Sequence, residues 1–350
     1  METKIFYHFL FFILTFSCVF MLKPTYNRHF MFTLSKGSSF MLLMAVVFLL
    51  GVLPIVEMYS DRFLYAMSVE NASLTENAWT WKDPFFSLYV KITGSFMSPS
   101  TWMYFTAFIY TMNHFIFSAK VGKYYLFPLF LMFITGFMFY SYGTNTIRAG
   151  FAASFLLLSF AYYEKLWAFL LFILIAVNSH FSMVIPAIAI VVSRFYPNTK
   201  LFFVLWLLSI PLSAMMGHRF EEFFSSLSSD SRTSYLSVMS EETHYKVGFR
   251  IDFILYSCVP IFMGFYYIVK RGIKDTFYFI LYNSYLLANC FWILVIRANF
   301  SDRFAYLSWF IYPAVLLFPA IKYQLWKNQN QKVALIVFLH GLFTYIMFLK

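Results

Sequence analysis

Long apolar runs separated by short polar segments dominate the chain. Runs of about 17–25 apolar residues are long enough to cross a lipid bilayer as helices. The pattern therefore predicts an all-α polytopic membrane protein with 11 or 12 transmembrane helices. The sixth run is short, and the sixth and seventh can form a re-entrant pair. The runs lie at residues 5–22, 39–56, 99–117, 124–140, 147–163, 166–178, 181–196, 200–216, 250–269, 276–296, 303–321 and 332–348.

The composition agrees with a membrane protein. The chain is 61% hydrophobic and only 12% charged, whereas a soluble domain has about 25% charged residues. Lys4 is the only basic residue before the first run, and no small-residue cleavage site follows the run, so we interpret it as an uncleaved span. The sequence shows no internal repeat, soluble domain, phosphate-binding glycine loop or zinc-ligand spacing. We therefore expect one integral membrane domain, residues 1–350, without a metal or another cofactor.

The distribution of charge predicts the topology. The net charge is +11, and the loops on one side of the membrane carry 14 basic and 2 acidic residues, a balance of +12. The other side holds the remaining 12 basic and 13 acidic residues, a balance of −1. Cytoplasmic loops are enriched in lysine and arginine, so the first side is cytoplasmic and both termini lie outside if there are 12 spans. Because the positive charge follows the topology, we reject a nucleic-acid partner.

Two outer loops, at about 57–98 and 217–249, are longer than the others, and both are expected to carry short amphipathic helices. In the first, Phe85, Phe86, Leu88, Tyr89 and Ile92 recur at helical spacing. This face can lie in the membrane interface or pack on neighbouring spans, and the sequence leaves both interpretations open.

The segment "SYGTNTIRAG" at 141–150 places polar residues between two apolar runs. Arg148 falls in the first turn of an inward-running helix, where the backbone N–H groups and the helix dipole attract anions. Its guanidinium adds a fork that suits phosphate oxygens. Lipid-headgroup snorkelling is the alternative role. The helix can be capped by Thr144, Asn145 or Thr146, and small residues leave room for a close neighbour at Ala149, Gly150, Ala152 and Ala153.

The same arrangement recurs in "RANFSDRFAYLSW". Ser301 or Asp302 can cap a helix with Arg303 in its first turn, and Arg297 lies across the same short turn. His180, in "VNSHFSMVIP", is expected at the outer junction of two spans. Together these residues predict a site for a doubly or triply charged anion at the outer leaflet.

Each of these residues also has a structural alternative. Arg297 can complement the C-terminal dipole of its own helix, Asp302 can pair with Arg303, and His180 can be a hydrogen-bonded linker residue.

These segments resemble the EpsG family of Wzy-like exopolysaccharide and O-antigen polymerases. The resemblance runs from "SDRFLYAMS" and "DPFFSLYVKI", through "TIRAGFAASFLLLSFAYYEKLWAFLLFILIAVNSHFSMVIP", to "GFRIDFILYSCVPI" and "LLANCFWILVIRANFSDRFAYLSWFIYP". The usual Arg-Gln of the family stands here as Arg148-Ala149.

The resemblance implies a glycosyltransferase of the bacterial inner membrane that polymerises repeat units linked to undecaprenyl diphosphate at the outer face, without metal or nucleotide sugar. The repeat units would be supplied by a flippase, and chain-length regulators are further expected partners.

On this hypothesis Arg148, Arg297 and Arg303 bind the diphosphate, and His180 or Asp61 accepts the proton of the attacking hydroxyl. Asp61 can instead cap its helix or pair with Arg62. The secondary candidates are Arg250 and Asp252, which can simply pair with each other, together with Tyr65 and Tyr306.

Two other functions are weighed against this one. A flippase for lipid-linked oligosaccharides needs cations along a path through both leaflets, whereas the basic residues at the span edges gather outside. A membrane acyltransferase that modifies surface glycans needs a histidine near its cytoplasmic acyl donor, and His180 is predicted on the opposite side.

Overall fold

The computed structural model describes residues 2–21, 28–56, 60–72, 82–226 and 248–349, and the described residues contain no β-strand. Parts of the two predicted outer loops, at 57–59, 73–81 and 227–247, lie outside this description. The helices are α1 Glu2–Met21, α2 Arg28–Gly51, α3 Ser60–Asn71, α4 Pro84–Gly94, α5 Pro99–Gly122, α6 Leu126–Ile134, α7 Phe139–Thr144, α8 Ile147–Ala161, α9 Leu166–Ser179, α10 Val184–Phe195, α11 Thr199–Met216, α12 Arg219–Ser226, α13 Ile251–Phe265, α14 Thr276–Leu294, α15 Ser301–Trp309, α16 Tyr312–Lys322 and α17 Gln329–Leu349.

Among the described residues, six helical stretches are long and apolar enough to cross a membrane: Pro99–Ile134, Thr199–Met216, Ile251–Lys270, Thr276–Leu294, Ser301–Lys322 and Gln329–Leu349. Five shorter apolar helices lie at Lys4–Val19, Ser35–Gly51, Ile147–Ala161, Leu166–Ser179 and Phe181–Phe195. Each of the twelve predicted runs overlaps one of these eleven stretches, and Pro99–Ile134 covers both the run at 99–117 and most of the run at 124–140. The all-α polytopic class is therefore confirmed, whereas the number of 11 or 12 spans stays a prediction.

The fourth predicted run, 124–140, is wrong as one continuous helix. Helix α6 ends at Ile134 and α7 begins only at Phe139. The break falls at Thr135 and Gly136, where the Thr135 hydroxyl donates to the carbonyl oxygen of Leu131 over 2.9 Å. Glycine in a helix interior costs about 1 kcal/mol relative to alanine, so an apolar composition alone does not continue the helix here.

The chain forms two compact units, one of residues 1–183 and 317–350, the other of residues 184–316. In the first unit, α1 packs on α17, α5 packs on both α2 and α8, and α8 packs on α9. Helices α3 and α4 pack on each other and on α5, and α4 also packs on α9. The two short helices of the first predicted outer loop thus belong to the core of this unit.

The buried face of α4 differs from the predicted one. Phe86 and Val90 lie in a core cluster with Trp102 of α5 and Phe151 of α8, and Tyr89 packs against this cluster. Leu88 and Ile92 point away from it, with exposed fractions of 40% and 54%. Packing on neighbouring helices, one of the two interpretations left open, is therefore the one observed for Phe86 and Tyr89.

In the second unit, α14 packs on α10, α11, α13 and α15. A buried polar network joins four of these helices through Asn289. Its amide oxygen accepts from Trp206 Nε1 over 2.8 Å, and its amide nitrogen donates to the hydroxyl oxygens of Ser257 (3.2 Å) and Ser308 (2.9 Å). Interhelical hydrogen bonds of this kind hold helices together where lipid offers no polar partner.

Candidate functional site

An ion pair lies at the start of α8, in the first unit. Arg148 is the second residue of the helix, and its Nη1 lies 2.9 Å from Asp83 Oδ2. The side chain of Asp83 is 1% exposed and that of Arg148 is 29% exposed. Thr146 is the N-cap residue by position, but its hydroxyl donates to the carbonyl oxygen of Ser141 and makes no cap bond to α8.

The guanidinium of Arg148 keeps one edge for another partner. Asp83 contacts Nη1, whereas Nε is buried and has no hydrogen-bond partner among the described residues. A buried donor without an acceptor costs about 1–3 kcal/mol. The Nε–Nη2 edge is the side-on fork that binds a carboxylate or phosphate with two parallel hydrogen bonds.

Asp83 reaches α8 from the beginning of α4. It is the N-cap residue of α4, immediately before Pro84, and its backbone angles of φ −143° and ψ 72° lie outside the helical region that a following proline disfavours. The side chain makes no cap bond to α4. Its Oδ1 accepts instead from the backbone N–H of Phe181 over 3.0 Å. One carboxylate therefore contacts both the start of α8 and the turn that follows α9.

His180 lies at the beginning of that turn. It is the C-cap residue of α9, with extended backbone angles of φ −155° and ψ 120°. Its Nδ1 accepts the backbone N–H of Ser182 over 3.2 Å and lies 2.7 Å from the Ser182 hydroxyl. Because a backbone N–H can only donate, Nδ1 is an acceptor, and the neutral ring carries its proton on Nε2.

Tyr65, on α3, faces the same helix start. Its hydroxyl is hydrogen-bonded to the backbone of Arg148, and the charges of Arg148, Asp61 and Asp83 all act on it. Burial is the main effect and raises the pKa of Tyr65 to about 12, so this hydroxyl is a neutral donor or acceptor at physiological pH. The first unit thus places Tyr65 against Arg148 and ties the His180 turn to Arg148 through Asp83. Asp61 lies one turn before Tyr65 on α3, and its charge acts on the Tyr65 hydroxyl.

Arg62, next to Asp61 in sequence, has a structural role. Its buried Nη2 donates to the carbonyl oxygens of Gly51 (2.9 Å) and Leu53 (3.0 Å), at the end of α2. A guanidinium at a helix C-terminus satisfies carbonyl groups that have no partner within the helix.

In the second unit, Arg297 caps α11 in a similar way. Its Nη1 donates to the carbonyl oxygens of Ser213 (2.7 Å) and Gly217 (3.3 Å), and its backbone N–H donates to Glu221 Oε1 over 3.0 Å. The predicted alternative was that Arg297 complements the dipole of its own helix. The helix end that it contacts is instead that of α11.

Arg303 lies in the first turn of α15, as predicted, but the predicted caps are wrong. The helix begins at Ser301, and the N-cap residue is Phe300, in the left-handed conformation with φ 55° and ψ 40°. Neither Ser301 nor Asp302 precedes the helix, because the chain turns one residue earlier than the polar pattern indicates. The Arg303 guanidinium lies 4.6 Å from the centre of the Phe300 ring.

The remaining candidates also lie in the second unit. Arg250 and Asp252 form two parallel hydrogen bonds of 2.9 and 2.7 Å, so the pairing that the sequence left open is observed. The Arg250 guanidinium lies 3.6 Å from the centre of the Phe253 ring. Tyr306 is buried, with its ring 5.8 Å from that of Trp309.

Comparison with known proteins identifies the family. The model of the EpsG family matches residues 38–350. The chain belongs to the EpsG family. No curated protein and no solved structure matches it. EpsG-family membership indicates a membrane protein of the polysaccharide-polymerase type, related to glycosyltransferases.

Sequence reasoning did not single out Asp83 in this EpsG-family protein. The available signal was the Asp83-Pro84 step, since aspartate before proline at the start of an apolar helix marks an N-terminus. That signal predicts an N-cap, whereas the carboxylate contacts two other elements. Among the described residues there is no group of three or more His, Cys, Asp or Glu that could hold a metal ion.

Proposed function

We propose that this EpsG-family protein is a glycosyltransferase that joins oligosaccharide repeat units carried on undecaprenyl diphosphate, at the outer face of the bacterial inner membrane. The observation that carries the proposal is the Arg148 guanidinium at the start of α8, with one edge held by Asp83 and a buried Nε that lacks a partner among the described residues. A diphosphate oxygen is an acceptor that this edge fits.

The chemistry needs a stabilised leaving group. The hydroxyl oxygen of one repeat unit attacks the anomeric carbon of another, and the bond from that carbon to the diphosphate oxygen breaks. The departing diphosphate takes the electron pair and gains negative charge. Arg148 and the N-terminal dipole of α8 lie where they can stabilise this charge, and donors that are already oriented do so without a reorganisation cost.

The hydrogen bonds of His180 favour a donor role. Because Nδ1 accepts from Ser182, the neutral ring presents Nε2–H, which can donate to a diphosphate oxygen. The proton of the attacking hydroxyl then goes to a carboxylate, and Asp61 is our candidate because its charge acts on Tyr65, next to Arg148. We propose His180 as the donor and Asp61 as the base.

The two arginines of the second unit differ in what they can contribute. Arg297 already donates to carbonyl oxygens of α11, which favours a structural role. Arg303 stacks on Phe300 within its own turn, and its assignment to a phosphate group stays a prediction from the sequence.

The test is Arg148→Ala in a strain that lacks the chromosomal gene, with surface-glycan length as the measurement. We expect long chains to disappear and single-repeat glycan to remain, measured per molecule of folded protein, because Arg148→Ala also leaves the buried carboxylate of Asp83 without its ion pair. Arg148→Lys should recover only part of the chain length, because lysine keeps the charge and loses the fork. Arg219→Ala, an exposed arginine on α12, is the matched control and should retain long chains.

Three outcomes would contradict the proposal. Undiminished long chains in Arg148→Ala would remove Arg148 from the reaction. Loss of all surface glycan in the gene deletion would indicate a flippase. Full-length glycan that lacks only acyl groups would indicate an acyltransferase.

A further inference from the structure

We infer that Asp83 is a positioning residue, which holds the Arg148 guanidinium and the turn that carries His180 in one fixed arrangement. The inference rests on the proposed function, because it concerns the orientation of residues that are assigned there to the diphosphate. Asp83 itself is not assigned a contact with substrate.

The two oxygens of Asp83 have separate partners on separate elements. Oδ2 lies 2.9 Å from Arg148 Nη1 on α8, and Oδ1 accepts the N–H of Phe181, between His180 and Ser182. The carboxylate makes no cap bond to α4, which it precedes. An N-cap aspartate normally accepts an N–H of its own helix. Asp83 instead makes its two contacts with α8 and with the turn after α9, and the cap bond to α4 is absent.

The place of Asp83 is fixed by the core. Phe86 and Val90, in the first two turns of α4, share a buried cluster with Ile147 and Phe151, which flank Arg148 on α8. The packing of these side chains sets the distance between the two helix starts. A carboxylate on one start is therefore a rigid acceptor for the guanidinium on the other, and side chains in well-packed cores have little freedom to shift.

Burial makes the charge of Asp83 important. Its side chain is 1% exposed, and burying a carboxylate is costly unless a cation and hydrogen-bond donors replace its water. Arg148 Nη1 and the Phe181 N–H supply that compensation. In return, the carboxylate fixes the rotation of the guanidinium, so that its Nε–Nη2 edge has one direction before substrate arrives. Orientation of a binding group by a second residue is a general means of lowering reorganisation cost.

The test uses Asp83→Asn and Asp83→Glu in the full-length protein, expressed in the gene-deletion strain. Asparagine keeps an oxygen that can accept the Phe181 N–H but loses the charge opposite Arg148. We expect Asp83→Asn to lower the amount of long-chain glycan at least tenfold per molecule of folded protein. The amount of folded protein is measured as the protein that elutes as a single species in detergent. Asp83→Glu, which keeps the charge on a longer arm, should fall between Asp83→Asn and the wild type.

A second measurement separates positioning from folding. Purified variants are titrated with undecaprenyl diphosphate as the probe. Asp83→Asn should weaken its binding several-fold, and Glu222→Gln, an exposed carboxylate in the first turn of α12, should change neither binding nor glycan length. If Asp83→Asn does not yield folded protein, Asp83→Glu decides: reduced polymer per folded molecule supports the inference and wild-type polymer overturns it.

The failures of the two proposals are distinguishable. Asp83→Asn with wild-type polymer and wild-type binding per folded molecule, alongside an inactive Arg148→Ala, overturns the positioning role and leaves the proposed function in place. The positioning role is also overturned if the amount of polymer falls only in proportion to the amount of folded protein. A fully active Arg148→Ala overturns the proposed function itself.

Discussion

Three arginines of this protein contact helix ends, and the kind of helix end decides what each arginine does. Arg62 and Arg297 donate to carbonyl oxygens at the ends of α2 and α11. Arg148 sits at the opposite kind of helix end, where the dipole is positive, and is held by a carboxylate. Cations stabilise helix C-termini, whereas a helix N-terminus attracts anions. An arginine at an N-terminus therefore strengthens an anion site, and an arginine at a C-terminus stabilises the fold.

This difference predicts the effect of Arg297→Ala. The substitution leaves the carbonyl groups of Ser213 and Gly217 without their donor, and we expect it to destabilise the protein by about 1–3 kcal/mol. Thermal unfolding of the purified protein in detergent should show a lower midpoint. Arg303→Ala, which removes the stack on Phe300, should cost about 0.5–1 kcal/mol. An Arg297→Ala variant that is as stable as the wild type but makes no long chains would instead support a diphosphate contact.

At the scale of helices, the approach of α7 to α8 depends on one glycine. A β-carbon placed on Gly150 would lie 2.7 Å from the β-carbon of Tyr142 and would also meet the Tyr142 carbonyl oxygen. A β-carbon does not approach a non-bonded atom this closely in real proteins, so any side chain would force the helices apart. Gly150 is two residues after Arg148, so the close packing of α7 on α8 also fixes the backbone position from which the Arg148 side chain extends.

We therefore expect Gly150→Ala to be damaging, although alanine is the better helix former. Overpacking of this kind costs about 1–3 kcal/mol, and the shift of α8 should shorten the glycan as well. Gly37→Ala in α2 is the matched control, because a β-carbon there meets nothing within 4 Å. It should be neutral or stabilising by up to about 1 kcal/mol. Unfolding midpoints in detergent and glycan length are the two measurements, and equal behaviour of the two variants would show that α7 and α8 can separate freely.

At the scale of the whole molecule, the charge balance of +12 against −1 predicts the orientation in the membrane. A cysteine at Glu222 on α12 should then react with an impermeant thiol reagent in intact cells, in a background without Cys18, Cys258 and Cys290. A cysteine at Lys274, an exposed position on the predicted cytoplasmic side, should react only after lysis. The reverse labelling would invert the topology and move the site of Arg148 to the cytoplasmic face.

The helix positions of two candidate residues were predictable from the sequence. Arg148 and Arg303 do fall in the first turns of helices, because capping residues and the ends of apolar runs mark helix starts. The detail of the caps was not predictable: Thr146 bonds to Ser141 instead of α8, and Phe300 replaces Ser301 or Asp302. Cap geometry depends on the direction in which the preceding segment enters the helix, and the packing of neighbouring helices determines that direction.

The sequence by itself determined the all-α membrane class, the position of nearly every long helix, and the family. These follow from composition and from periodicity within single segments, where each residue interacts mainly with lipid and with neighbours three or four positions away. Only the tertiary structure decided that Asp83 serves Arg148 and Phe181, that Arg297 caps α11, and that α4 buries Phe86 and Val90 but not Leu88. Those contacts join residues far apart in the chain, and no local pattern encodes which helix ends will meet. The packing of side chains between helices determines which helix ends come into contact, because only close-packed arrangements with satisfied polar groups are stable inside a membrane.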